Sequence, residues 1–172
     1  MGQKQLALFE TESNSKAEKK EIHHWKIFID GASRNNPGPS GAGVYILKDD
    51  QVFAKHGFFL GNKTNNQAEY LALLLGIFEI KKKVQPGDII HIISDSQLLI
   101  RQMNGQYKVK NEDLKVLYSV AKRWLHGLHV KLSHVLREDN IEADAMANYG
   151  IDKKIKLPHE FMETLKRENQ SI

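Results

Sequence analysis

The chain has 172 residues, of which 41% are hydrophobic and 27% are charged, and it contains no cysteine. This length fits one compact domain with tails, and the hydrophobic share is enough for a core, so the composition excludes a wholly disordered protein. No run of about 18 apolar residues occurs, which excludes a membrane-spanning helix. The lack of cysteine and of a signal-type apolar core near the N-terminus predicts a cytoplasmic protein without disulfides. The net charge of +4 is too small by itself to indicate a polyanionic partner.

The sequence divides into three parts. Residues 1–24 form a polar tail in which acidic and basic residues balance. Residues 25–149 form the body, which holds the apolar runs and the turn signals. Residues 150–172 form a C-terminal extension, in which we expect no more than a loose amphipathic turn or two.

The first part of the body predicts three strands. An apolar run from Trp25 to Asp30 fills both faces of a strand, which is typical of the centre of a sheet. A loop rich in Gly, Pro and Asn follows over residues 31–41. The next two strands, over residues 42–48 and 51–60, flank a polar turn. We therefore expect a hairpin that the first strand joins as a meander.

Helices and strands alternate in the rest of the body. The periodicity and the capping signals predict a helix over 66–83, a strand over 88–94, helices over 96–103 and 111–126, a strand over 128–136 and a helix over 139–149. The order of elements is therefore βββαβααβα. It predicts an α/β fold whose sheet is antiparallel at the hairpin and parallel across the helical connections.

Four acidic residues occupy positions that could form a site, although each has an ordinary structural interpretation on its own. Asp30 can begin a turn after its strand, and Asp95 can cap the helix that follows it. Glu69 can close a capping box with Asn66. Asp144 can face solvent on the last helix.

Considered together, the four acids favour metal binding. Two of them follow apolar strands, at the edge where α/β sheets bind ligands, and two lie on helices that must pack near that edge. Converging carboxylates raise one another's pKa unless cations lie between them, and ligand sets made of oxygen select Mg²⁺ or Mn²⁺. Two such ions roughly 3.5–4 Å apart can cleave a phosphodiester by in-line displacement. The pattern therefore predicts phosphodiester hydrolysis.

The distribution of charge supports a polyanionic substrate. Residues 25–149 hold 16 Lys and Arg and 13 Asp and Glu. If cations neutralise the four candidate ligands, the body is clearly basic, which suits a nucleic acid. The run Lys81–Lys83 can also serve only to end its helix.

Five segments occur in an order and spacing that resemble ribonuclease H of type 1: IFIDGASRNNPGPSGAG, TNNQAEYLALLLGI, IISDSQLLIRQMNG, YKVKNEDL and HVLREDNIEADAMAN. The resemblance runs from about Lys26 to Tyr149 and includes all four acids. It implies a five-stranded mixed sheet flanked by helices. It also implies endonucleolytic hydrolysis of the RNA strand of RNA/DNA hybrids, which leaves 5′-phosphate and 3′-hydroxyl ends.

The resemblance assigns roles in metal binding and catalysis. It implies two Mg²⁺ ions, for which Mn²⁺ can substitute, with Asp30 as the bridge between them. The four ligands it implies are Asp30, Glu69, Asp95 and Asp144. His134, ten residues before Asp144, matches a mobile-loop histidine that assists proton transfer or product release in many members. It can also simply face solvent at the end of its strand.

The resemblance further implies contacts with the hybrid. The residues that match minor-groove contacts are Asn36, Asn65, Asn66 and Gln67. Amide side chains can bind both a 2′-hydroxyl and a base edge, which distinguishes RNA from DNA. Thr64 and Asn111 match a pocket for a DNA-strand phosphate. Asn62 stands where the family often has an arginine, so we expect weaker binding of the DNA strand. The long basic handle of some members is absent, so other residues must hold the substrate.

The N-terminal tail contains QLALF, which resembles the short peptide by which bacterial DNA polymerases and repair proteins hold the sliding clamp. Leu6, Leu8 and Phe9 would be apolar anchors and Gln5 a polar contact. Such a tether would raise the local concentration of the protein at replicated DNA and would imply a bacterial source. The same residues could instead pack on the body of the protein.

Two other functions remain open. A catalytically silent hybrid-binding module would keep the fold and the basic surface, but it would be expected to lose at least one of the four acids. A DNA-directed nuclease or recombinase of the same fold would not need the TNNQAE and NNPGP motifs. We therefore expect a monomeric enzyme that removes RNA from hybrids during replication or repair.

Overall fold

A five-stranded mixed sheet forms the centre of the structure, a computed structural model that describes residues 20–169. The strands are β1 (His24–Ser33), β2 (Gly38–Lys48), β3 (Gln51–Lys63), β4 (Ile89–Ser94) and β5 (His129–His134). Their spatial order is β3-β2-β1-β4-β5. β2 pairs antiparallel with both β1 and β3, whereas β4 pairs parallel with both β1 and β5. The mixed sheet expected from the order of elements is confirmed.

Helices cover both faces of this sheet. They are α1 (Asn65–Lys81), α2 (Gln97–Met103), α3 (Glu112–Leu125), α4 (Ile141–Lys153) and α5 (His159–Asn169), with a short 3₁₀ turn at Arg137–Asp139. α1 packs on the face that carries Ile27 and Ile29, and α4 packs on the opposite face against β2 and β3. Among residues 20–169, no helix combines the length and the apolar character that a membrane crossing requires.

The capping of the first two helices differs from the prediction. The side chain of Thr64 accepts a hydrogen bond from the N–H of Gln67, and the side chain of Gln67 accepts one from the N–H of Thr64. This reciprocal box starts α1 one residue earlier than expected, so the box that we assigned to Asn66 and Glu69 is wrong. α2 is capped by Ser96 rather than by Asp95. Glu69 and Asp95 are thus free of the capping roles that could have explained them.

The loop expected over residues 31–41 is shorter in the structure and covers only residues 34–37. β1 continues to Ser33 and β2 begins at Gly38, so that Gly31 pairs with Ala42 and Ser33 with Ser40. Asp30 therefore lies inside a paired strand and does not begin a turn.

The C-terminal part is more ordered than predicted. α4 continues past the expected boundary at Tyr149 to Lys153, and α5 replaces the loose turn. The fully buried ring of Phe161 anchors α5, since its centroid lies 5.4 Å from that of Phe78 and 6.4 Å from that of Trp124. Aromatic side chains contribute large apolar areas to a core, which explains why so short a helix stays in place. The QLALF peptide lies outside the described residues.

Candidate active site

A cleft of about 440 Å³ opens at the edge of the sheet where β1 and β4 end. All four predicted acids line it, together with Asn65. The acids come from four separate elements: β1, α1, the residue after β4, and α4. The expectation that the fold brings these four residues to one edge therefore holds in the structure.

The sheet itself places two of the acids side by side. β1 and β4 are parallel neighbours, and their register pairs Ile29 with Ser94. Asp30 follows Ile29 within β1, and Asp95 follows Ser94 at the end of β4, so the two acids lie next to each other at the same edge. Asp30 is only 5% exposed.

A close approach of α1 to β1 supplies the third acid. A Cβ atom on Gly31 would lie 2.2 Å from the main-chain nitrogen of Glu69, so only glycine fits at this point of β1. The N–H of Gly31 donates to Oε2 of Glu69 at 3.1 Å. The same glycine thus allows the contact and fixes the carboxylate.

These three carboxylates form a compact cluster. One oxygen from each of Asp30, Glu69 and Asp95 lies within 4.8 Å of the others. Burial, followed by the charges of Asp95 and Asp144, raises the pKa of Asp30 to about 7. Burial, followed by the charges of Asp30 and Asp95, raises the pKa of Glu69 well above its ordinary value, although the Gly31 hydrogen bond opposes this. The cluster therefore favours a bound proton or a bound cation.

The donor set fits a hard divalent cation. All the candidate ligand atoms are carboxylate oxygens, and no nitrogen or sulfur ligand belongs to the cluster found in residues 20–169. Oxygen ligands of this kind suit Mg²⁺ or Mn²⁺. A bound cation would also oppose the effects of burial and of the neighbouring negative charges, which together raise the pKa values of Asp30 and Glu69.

Asp144 lines the cleft but lies outside the compact cluster. A Cβ atom on Gly43 would lie 1.9 Å from the main-chain oxygen of Ala143, so α4 lies directly on the backbone of β2. This packing brings Asp144 toward Asp30. The Oδ1 of Asp144 pairs with the guanidinium of Arg137 at 3.1 Å.

Two residues of the site were missed in the sequence. Arg137 lines the cleft and pairs with Asp144. The only signal for it in the sequence is its place in the HVLREDN segment. Asn140 is 1% exposed and donates to the carboxylate of Asp95 at 2.9 Å. Its spacing of four residues from Asp144 places both on one helical face. Nothing in the sequence indicates its contact with Asp95.

His134 reaches the same edge without contacting a carboxylate oxygen at hydrogen-bond distance. It is the last residue of β5 and is exposed. Its Nε2 lies 3.2 Å from the main-chain oxygen of Asp95. The structure therefore brings His134 next to the site.

A second cavity, of about 280 Å³, lies at the N-termini of α1 and α3. Its lining contains Asn36, Thr64, Asn66, Gln67, Asn111, Asp113 and Leu114. Five of the six predicted substrate-contact residues thus meet here, and the sixth, Asn65, lines the acidic cleft. The N–H of Asn65 donates to Oδ1 of Asn36 at 3.0 Å, which ties the loop between β1 and β2 to the start of α1.

Sequence comparisons place this fold and site among known proteins. A family model described as reverse transcriptase-like matches residues 28–150. A protein of Halobacterium salinarum named ribonuclease HI is 38% identical over 128 residues, which cover 73% of this chain and 63% of the relative. A ribonuclease H of Coxiella burnetii is 32% identical over 145 residues, which cover 76% of this chain and 91% of the relative. The chain spans only 35% of a matching bifunctional protein of Mycobacterium tuberculosis.

Two solved structures share the architecture. The crystal structure of RNase H1 from Halobacterium salinarum gives a TM-score of 0.71 at 34% identity, over 76% of this chain and 98% of that chain. The structure of LC11-RNase H1 in complex with an RNA/DNA hybrid gives 0.70 at 33% identity, over 75% of this chain and 97% of that chain. With the sequence relatives, these matches show that the chain belongs to the type 1 ribonuclease H family.

Proposed function

We propose that the protein is an endoribonuclease that hydrolyses the RNA strand of RNA/DNA hybrids and leaves 5′-phosphate and 3′-hydroxyl ends. The observation that carries this proposal is the cluster of three carboxylates within 4.8 Å, two of which have raised pKa values. The solved complex of a relative with such a hybrid supports the choice of substrate.

The proposed cofactor is Mg²⁺, as two ions for which Mn²⁺ can substitute. Asp30, Glu69, Asp95 and Asp144 would hold these ions. When bound, such ions activate a water and neutralise the leaving oxygen. Arg137 pairs with Asp144 and its guanidinium is largely exposed at the cleft, so it would also contact a substrate phosphate there. His134 would assist proton transfer or product release.

The activity is tested by cleavage of a labelled RNA/DNA hybrid in Mg²⁺, beside single-stranded RNA, double-stranded RNA and double-stranded DNA. We expect the wild type to cut only the hybrid and Asp95→Asn to lose at least about a thousandfold in kcat, because the neutral amide cannot serve as a charged ligand. The matched control is Asp139→Asn, since Asp139 is an exposed acid outside the cleft. Hybrid binding without cleavage in Mg²⁺ or Mn²⁺ would favour the silent binding module, and cleavage of duplex DNA would favour the DNA-directed nuclease.

The acid cluster also predicts how stability depends on pH. The pKa of Asp30 is about 7 in the folded protein and close to 3.9 in an unfolded chain. The folded state therefore binds this proton more tightly, and the stability that this proton gives is lost as the pH rises from about 4 to about 7.

We expect Asp30→Asn to stabilise the metal-free protein at pH 8 by at most about 4 kcal/mol, which is the difference between the two pKa values converted at roughly 1.36 kcal/mol per unit. The gain should shrink at pH 4, where the wild-type carboxyl is protonated, and in Mg²⁺, where cation binding stabilises the wild type. Urea unfolding in EDTA measures both values, again with Asp139→Asn as the control. A variant no more stable than the wild type at pH 8 would contradict this electrostatic account.

We propose that the second cavity binds a phosphate of the DNA strand. The side-chain amides that line it, Asn36, Asn66 and Gln67, would contact the minor groove of the hybrid. Thr64 and Asn111 are the N-caps of α1 and α3, and both line the same cavity, so two helix N-termini converge there. Helix N-termini favour anions. Because Oδ1 of Asn111 accepts from the N–H of Leu114, its Nδ2 remains as a donor.

Asn111→Asp separates this role from helix capping. Aspartate caps a helix about as well as asparagine, so we expect an unchanged unfolding midpoint. Loss of the donor and the added charge should raise KM for the hybrid at least about tenfold with little change in kcat, since hydrogen bonds to charged groups contribute roughly 1.5–3 kcal/mol. The neighbouring Asp113→Asn should lower KM. Unchanged KM in both variants would remove the cavity from the binding surface.

We propose further that the QLALF peptide of the tail binds a bacterial sliding clamp, and that the protein works as a cytoplasmic monomer in DNA replication or repair. The tail is shorter than the expected residues 1–24, because β1 begins at His24 and the N–H of His23 donates to Oδ1 of Asp88. The composition of the tail supports clamp binding, because Leu6, Leu8 and Phe9 are apolar residues among polar ones and could insert into a pocket of a partner. We expect the double variant Leu8→Ala, Phe9→Ala to lose retention on an immobilised clamp while its cleavage of free hybrid is unchanged. Equal retention of variant and wild type would refute the tether.

A further inference from the structure

The residue that begins α4 does not cap its helix. Thr64, Ser96 and Asn111, the N-cap residues of α1, α2 and α3, each use their side chain to accept a main-chain N–H of the helix. Asn140 is the N-cap residue of α4, and its side chain makes no such bond. Asparagine is among the best capping residues. Asn140 thus makes no capping bond although it is well suited to one, which indicates another use for the side chain.

The amide of Asn140 instead bridges two other segments. Its Nδ2 donates to the main-chain oxygen of Ile29 at 2.9 Å and to Oδ1 of Asp95 at 2.9 Å. Both partners are acceptors, so the nitrogen rather than the oxygen of the amide must face them. Both protons of the amide are therefore used, in a side chain that is 1% exposed.

This bridge connects the segments that carry three of the acids. Ile29 directly precedes Asp30 on β1, and Asp95 follows β4. Asn140 also contacts α4, because its main-chain oxygen accepts a hydrogen bond from the N–H of Asp144 at 3.1 Å. One buried residue thus contacts β1, the end of β4 and the first turn of α4, where the carboxylates must be held relative to one another.

The chemistry of an amide suits this position. An acid here would add negative charge to a cluster that already repels itself, and it could not donate two hydrogen bonds. A lysine or arginine would pair with Asp95 as a charge and compete with a cation. The neutral amide fixes one oxygen of Asp95 and leaves the carboxylate its negative charge.

We infer that Asn140 is a positioning residue that presents Asp95 to the divalent cation and thereby sets the affinity of the site for that cation. This inference rests on the proposed function, because it takes Asp95 as a ligand. Residues that orient metal ligands through hydrogen bonds typically change metal affinity or activity by about 10–100-fold when they are replaced.

The test is Asn140→Ser. Serine is also a favoured N-cap, so it can restore the capping bond of α4, but its short hydroxyl carries one proton and cannot make both contacts. The matched control is Asn148→Ser, the same change on the same helix at a residue that also lines the cleft, where Nδ2 donates to the main-chain oxygen of Asp144 at 3.0 Å and not to a carboxylate. Asn140→Thr, with a side chain closer in volume to asparagine, replaces Asn140→Ser if the latter does not fold.

Three measurements are made on the full chain: the urea unfolding midpoint in EDTA, the Mn²⁺ dissociation constant by electron paramagnetic resonance without hybrid, and the Mg²⁺ concentration for half-maximal cleavage. We expect Asn140→Ser to fold, to bind Mn²⁺ about 10–100-fold more weakly and to need correspondingly more Mg²⁺. Asn148→Ser should bind Mn²⁺ as the wild type does.

The outcomes separate the two proposals. Wild-type Mn²⁺ affinity in folded Asn140→Ser would overturn the positioning role, whatever its cleavage rate. Equal weakening in Asn148→Ser would also overturn it, because the effect would then belong to α4 in general. If the wild type itself neither bound Mn²⁺ nor cut the hybrid, the proposed function would fail first.

Discussion

The repulsion among buried carboxylates at one edge of the sheet is the constraint on which the rest of the site depends. Asp30, Glu69 and Asp95 place oxygens within 4.8 Å of one another, and burial raises the pKa of the first two. Such an arrangement opposes folding unless protons or cations bind to it. The packing around the cluster offsets this unfavourable free energy. Relief of the same repulsion would favour the binding of a divalent cation.

That packing depends on helices that lie directly on the backbone of the sheet. Gly31 lets α1 approach β1 at Glu69, and Gly43 lets α4 approach β2 just before Asp144. A side chain at either position would move a helix outward and take a carboxylate with it. Asn140 then links β1, Asp95 and α4 by hydrogen bonds where apolar packing ends. Close packing of the helices on the sheet thus sets the positions of the carboxylates. The neutral amide of Asn140 holds Asp95 without changing the charge of the cluster.

The sequence predicted the parts that depend on local pattern, and it missed those that depend on contacts between distant residues. Asp30 and Asp95 could be placed together because the ends of neighbouring parallel strands share an edge. The glycines after Asp30 indicated a loop, whereas Gly31 is there because a helix approaches it. The pairing of Asn140 with Asp95, 45 residues away, left no local signal. α5 was missed because its burial depends on Phe161 meeting aromatic rings of α1 and α3.

The most direct test of this account is the number of protons released when Mg²⁺ or Mn²⁺ binds. Titration calorimetry at pH 7 in buffers of different ionisation enthalpy gives this number for the wild type and for Asp30→Asn. The account predicts net proton release from the wild type, because carboxyls with raised pKa values must lose their protons to bind a cation. It also predicts less release at higher pH and in the variant. Tight binding without proton release at pH 7 would contradict it.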